Sequence, residues 1–188
     1  IGEGVDALRE EVWGKLFNNA VTLFSQKKYK KAEEQFKLCL IVHPNRIENY
    51  RALVDVYRQN GNDDLALKAV ITGLNIDSQD SYLNMTKADF SIQNNDLDSA
   101  RDLYLRAIEF SDDPGPIKIK LLNTYIELGE NEIAIDFSNE LLNQYPNNPN
   151  IYYNVGVVYS RIAKEKMDLF FKLFNEINQL EKPTEIMI

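Results

Sequence analysis

The sequence predicts an all-α solenoid of stacked antiparallel helix pairs, and two observations carry that expectation. The stretch from Leu16 to Pro44 reads as two amphipathic helices. Leu16, Ala20 and Leu23 share one face of the first, and Ala32, Phe36 and Cys39 stand at helical spacing in the second. A polar Ser25-Gln26-Lys27-Lys28 break separates them. The same arrangement then recurs, with Ala32, Ala66, Ala100 and Ala134 each 34 residues after the last. A fixed period of that size marks stacked repeats, in which each unit packs on its neighbours and stability is a sum of local terms. Such an object is a binding scaffold.

Taken in order, residues 1–12 carry Val5, Leu8 and Val12 ahead of Leu16, so they extend the first helix and cap the open end. Trp13 on that helix reads as an anchor of the first helix pair, in preference to a ligand-stacking ring. The repeat array runs over 13–180 in units of about 13–46, 47–80, 81–114, 115–148 and 149–180, with a tail at 181–188. In the second unit Tyr50, Leu53, Val54 and Tyr57 face inward, Gly61 ends the first helix, and Asp63 or Asp64 caps the next. The third unit conflicts with the pattern on its first helix. The buried register holds Asn84, Lys87, Ala88 and Ser91, while Tyr82, Leu83, Met85, Phe90 and Ile92 lie elsewhere. A local break of that kind marks a place to look for function. The fourth unit follows the Asp112-Asp113-Pro114-Gly115-Pro116 turn with Leu121, Leu122, Tyr125, Gly129 and Ala134. The fifth opens on schedule with Tyr152, Val155, Gly156 and Tyr159. Its second helix is out of step, and a one-residue deletion in the turn would put Met167, Phe171 and Phe174 in the places of Ala32, Phe36 and Cys39.

These residues resemble the tetratricopeptide repeat family. The likeness lies in the large residue, Leu-Gly-like pair and Tyr (Tyr152, Val155, Gly156, Tyr159), the turn Gly (Gly61, Gly129), the recurrent Ala, the aromatic four residues on (Phe36, Tyr104) and the closing Pro (Pro44, Pro146). Four regular units and a divergent fifth carry it. Ser78 and Asp112 depart from the closing Pro. The resemblance implies a right-handed superhelix whose concave groove is lined by the first helix of each pair, at positions spaced i, i+3, i+7 and i+10 on one face. In the first three units those are Phe17, Val21 and Phe24; then Glu48, Arg51, Asp55 and Arg58; then Tyr82, Met85, Asp89 and Ile92. The fourth gives Ile119, Asn123 and Ile126, and the fifth Asn150, Tyr153, Val157 and Ser160. So many apolar lining positions fit an adaptable peptide site, with Arg51 and Arg58 available to carboxylates and Asp55 placed to pair with them. Tight winding of the superhelix would bury the same residues without a ligand. The clamp that some relatives use for acidic chaperone tails is absent, since Phe17, Val21, Ala52, Tyr82 and Thr86 stand at its positions.

Other functions are disfavoured by composition. A net charge of −8 opposes a nucleic-acid or anionic-membrane surface, and no run of about 18 or more apolar residues is present to span a bilayer. His43 is the one histidine, no Gly-rich phosphate loop follows a strand, and Cys39 occupies a packing position, so neither enzyme chemistry nor a cofactor or metal is expected. Lys27, Lys28, Lys30 and Lys31 read as a solvated turn, and Asn84-Met85-Thr86 as an accidental sequon. Ile1 in place of an initiator Met reads as an excised domain or a processed chain.

The last helix is apolar on more than one face, through Leu169, Phe170, Phe171, Leu173, Phe174, Ile177 and Leu180, where a terminal repeat needs a polar outer face. Further chain, a homodimer contact over 167–180, or the tail from Pro183 folding back would each cover it. The leading expectation is a non-catalytic scaffold that holds a peptide or protein segment in the groove. The alternatives are a structural or oligomerisation module using the C-terminal helix, and a regulatory domain of a larger enzyme.

Overall fold

The computed structural model describes residues 2–180, with side chains over 4–178. The expected tail at 181–188 lies outside the described residues. Nine helices are present among them: α1 (Gly2–Ser25), α2 (Tyr29–Val42), α3 (Ile47–Gln59), α4 (Asp63–Ile76), α5 (Ser81–Gln93), α6 (Leu97–Glu109), α7 (Gly115–Leu128), α8 (Asn131–Gln144) and α9 (Pro149–Leu180). From α2 on, every helix starts 34 residues before its counterpart in the next pair. The chain divides into two compact units, Ile1–Ile117 and Lys118–Ile188, with the cut inside α7.

The period is written most sharply in the turns. Lys27, Gly61, Asn95 and Gly129 all have positive φ, at 59°, 70°, 58° and 76°. The N–H of each following residue reaches back five residues, Lys28 to Leu23, Asn62 to Tyr57, Asp96 to Ser91 and Glu130 to Tyr125, at 2.9–3.0 Å. This is the Schellman closure, in which a left-handed residue ends one helix and satisfies its last carbonyls. Only glycine adopts that conformation without steric cost. Lys27→Gly should therefore stabilise the fold by about 1 kcal/mol, seen as a higher urea midpoint at unchanged slope. Asp80 and Asp96 cap α5 and α6, accepting from Leu83 N and Ser99 N. In α4 the N-cap is Asn62, without a side-chain bond, so Asp63 and Asp64 act only as first-turn charges favoured by the helix dipole.

In the first unit each helix packs on the next, α1 on α2 through to α5 on α6. The core is a continuous cluster that includes Ala20, Ala32, Phe36, Leu53, Val54, Tyr57, Ala66, Val70, Leu83 and Phe90. The apparent break in the third unit is a matter of packing. Helix α5 lies against both α4 and α6, so Leu83, Asn84, Thr86, Ala88 and Phe90 are buried on more than one of its faces. Leu83 reaches into the space left by Gly73, where an added Cβ would meet Leu83 Cδ1 at 2.4 Å. Asn84 is buried because it donates to Ser78 O and Asp80 O at the start of its own helix.

In the second unit Tyr125 of α7 stands edge-on to Phe137 of α8, with centroids 5.7 Å apart. Helix α8 packs on α9, and Ile151, Asn154 and Val158 of α9 are buried. Beyond that the expected fifth pair is corrected: α9 runs unbroken for 32 residues, with no turn and no deletion. The residue in phase with the four left-handed positions is Ala163, followed by Lys164-Glu165-Lys166. All four are strong helix formers, and none offers a stop signal.

Candidate peptide-binding groove

A cavity of about 310 Å³ lies between α1, α2 and α3. Phe17, Val21 and Phe24 reach it from α1 because they fall at i, i+4 and i+7 on one helix face. Phe36 enters from α2, and Glu48, Arg51, Ala52 and Asp55 from α3. Aromatic contacts fix the apolar side. Phe17 stacks on Trp13 at 4.8 Å and meets Phe36 edge-on at 5.3 Å, and Phe24 tilts against Tyr29 at 5.3 Å. Val21 is 47% exposed within this recess. A wider recess of about 650 Å³ shares Arg51 and continues past Tyr82 and Met85 to Ile117.

Arg51, Asp55 and Asp89 of this face are each committed to a partner within the scaffold. Arg51 does not pair with Asp55. Its Nε and Nη2 reach Asp80 Oδ2 at 2.6 and 2.5 Å, and the Asp80 side chain is fully buried. Asp55 instead accepts from the Tyr82 hydroxyl. Burial, followed by that bond, pushes the Tyr82 hydroxyl well above the usual phenol range, so it stays a donor. Asp89 accepts from Tyr104 at 2.6 Å, tying α5 to α6. Two such ties, Arg51–Asp80 and Tyr82–Asp55, join α3 to the start of α5.

Thus Phe17, Val21, Phe24, Arg51 and Asp55 come together in one recess, and Arg51, Tyr82 and Met85 in the next. Arg58 is exposed one turn beyond Asp55, and Asp89 and Ile92 are half-buried. In the second unit Ile119 is half-buried, Asn123 is exposed and Tyr153 is 73% exposed. Ile126 departs from its expected place on an open groove: it is buried, at 7% exposure, and its carbonyl accepts from Arg161. The face also uses Asp80 and Phe36, which were not among the expected lining residues. An Asp three residues before Leu83 at a helix start was a legible capping signal for the first.

No group of three or more His, Cys, Asp or Glu side chains is placed to hold a metal among the described residues. Burial pushes the Cys39 thiol up to about 11, which keeps it protonated and inert. His43 Nε2 stands 3.2 Å from Glu10 Oε1, at the contact of α1 with the end of α2. Trp13 anchors more than the first pair: its indole N–H donates to Asn49 of α3, and the Arg46 guanidinium lies 3.7 Å over its ring. No helix among the described residues is long and apolar enough to cross a membrane.

This architecture is the tetratricopeptide repeat fold, four helix pairs followed by one long terminal helix. No family model matches the chain, and no curated protein matches it. Solved structures do. A tetratricopeptide repeat protein from Parabacteroides merdae is similar at a TM-score of 0.73 and 14% identity, over 89% of this chain and 68% of that one. The MamA protein gives 0.71 and 18% over 95% and 100%. YrrB, described as a tetratricopeptide protein with an unusual peptide-binding site, gives 0.67 and 17% over 79% and 76%.

Proposed function

We propose that the chain is a non-catalytic scaffold that captures a peptide segment in the recess between α1 and α3. The observation that carries this reading is the pairing of an aromatic floor with a charged edge. Phe17, Phe24 and Phe36 offer an apolar pocket, Val21 is exposed within it, and Glu48, Arg51 and Asp55 stand on the α3 side. Such a site takes one aliphatic or aromatic anchor and orients it through polar groups at the rim. Arg58, Met85, Asp89 and Ile92 extend the same surface along the ligand, and Ile119, Asn123 and Tyr153 are the second unit's candidates. YrrB shows that this fold can hold a peptide-binding site.

Peptides selected from a displayed library against the intact chain provide the test. Val21→Asp should weaken their binding at least tenfold, about 1.4 kcal/mol, with the thermal midpoint held. Undiminished capture by that variant would remove the recess from consideration. Val21 suits the purpose because it is exposed, whereas Arg51 carries a structural ion pair.

A second reading is favoured by α9. Residues 164–178 are exposed, among them Met167, Leu169, Phe170, Phe171, Leu173, Phe174 and Ile177, which suits a structural or oligomerisation module.

A further inference from the structure

Helix α9 has lost the cover that every earlier pair provides. Position 156 is in phase with Ala20, Val54, Ala88 and Leu122, each fully buried, yet Gly156 is exposed and an added Cβ would meet nothing within 4 Å. Tyr159 is in phase with Tyr57 and Tyr125, which are 7% and 9% exposed, and it is 52% exposed. In the fourth pair the ring that covers Tyr125 is Phe137 of the following helix. The residues that should cover Tyr159 exist in this chain, on the C-terminal half of α9: Met167, Phe170, Phe171, Phe174 and Ile177, each 52–58% exposed. They cannot fold back, because the helix carries them straight past the place of the turn. Asn131, at the start of α8, donates to Glu165 at 2.9 Å and holds that straight course.

Resting on the second reading above, we propose that a second copy of this chain supplies the missing helix. Two α9 helices lie antiparallel and exchange halves, so that residues 167–177 of one protomer pack on 152–159 of the other, and the reverse. The exchange is isologous, closes on itself, and leaves no further face to propagate. It gives each protomer a complete fifth pair, with Tyr159 against Phe170 of the partner subunit as Tyr125 stands against Phe137. Side-chain volumes agree: Gly156 is the smallest residue of its column and makes room for Met167, a large side chain one residue ahead of the place of the recurrent alanines. Half-exposed side chains of this size bring on the order of 100 Å² each. Two reciprocal contacts, counted on both surfaces, come to roughly 1,400 Å², within the range of stable specific interfaces.

The intact chain should therefore show by light scattering a mass twice its 21.7 kDa. Gly156→Cys and Met167→Cys, made on separate chains and mixed under mild oxidation, should give a disulfide-linked pair on a non-reducing gel. Within one straight helix those positions are about 16 Å apart, too far for a disulfide, and the buried Cys39 does not compete. Ala163→Gly with Lys164→Asn writes the Gly61-Asn62 turn into the fifth position and should return the protein to a monomer. A monomer of the unaltered chain at the highest attainable concentration overturns the proposal. So does a dimer in which the two cysteines fail to link, or a chain carrying both that closes on itself. None of these results bears on peptide capture at Val21, so the two readings fail separately.

Discussion

Asn49→Ala should cost about 2–4 kcal/mol of folding stability and shift the fluorescence of Trp13, the one tryptophan in the chain. Asn49 is fully buried near the start of α3 and holds three elements at once. Its Oδ1 accepts from the Trp13 indole at 2.9 Å, and its Nδ2 donates to His43 O at 2.8 Å and lies 3.4 Å from Cys39 O. Truncation leaves the half-buried indole N–H without its partner, at about 1–3 kcal/mol, and removes a donor from His43 O and Cys39 O, which keep the backbone N–H of Arg46 and His43, along with the packing of a fully buried side chain. Around it, Arg46 lies over the Trp13 ring and pairs with Glu10 at 2.6 Å. The stack of Trp13 on Phe17 then sets one wall of the recess. A fall in urea midpoint with a red-shifted emission is the expected result. A loss below about 1 kcal/mol would mean that water replaces the amide and that Asn49 does not set the recess.

The fold was legible because its determinants repeat. Small residues at the helix crossings and left-handed residues at the turns recur at a fixed interval, and each repetition multiplies the signal. Asn95 and Lys27 show how far that goes, since they adopt the glycine conformation because the flanking helices impose it. The fifth pair misled for the same reason. Apolar residues at 167, 171 and 174 kept nearly the right spacing, while the turn itself had been replaced by Ala163 and its helix-forming neighbours. Periodicity reads which faces are apolar and is blind to whether the chain reverses between them. The α5 register misled differently: a helix packed on both sides spreads its buried residues around its axis, which a one-face pattern reads as conflict.

The recess was half legible. Phe17, Val21 and Phe24 follow from helical spacing alone. The polar ties do not, because Trp13–Asn49, Arg51–Asp80 and Tyr82–Asp55 join residues 27–36 apart and leave no periodic trace. An arginine at a groove position looks the same in sequence whether it awaits a ligand or braces the scaffold. Geometry alone separates the two.

For Arg51 the separation can be measured. Asp80 Oδ1 takes the Leu83 N–H at 2.8 Å, and its Oδ2 takes the two Arg51 bonds. Arg51→Ala strands a fully buried carboxylate with its cap bond alone, and should cost about 3 kcal/mol. Asp80→Ala removes the cap and frees an arginine that is already 45% exposed and can turn to water, for about 2 kcal/mol. The double variant Arg51→Met with Asp80→Ser keeps a capping oxygen and leaves no unpaired charge, so its stability should lie within about 1 kcal/mol of the parent. Denaturant titration of the three variants checks the order. The same double variant then decides the role of Arg51 in capture. Retained peptide binding makes Arg51 a brace between α3 and α5, and lost binding in a folded, stable protein makes it a direct contact.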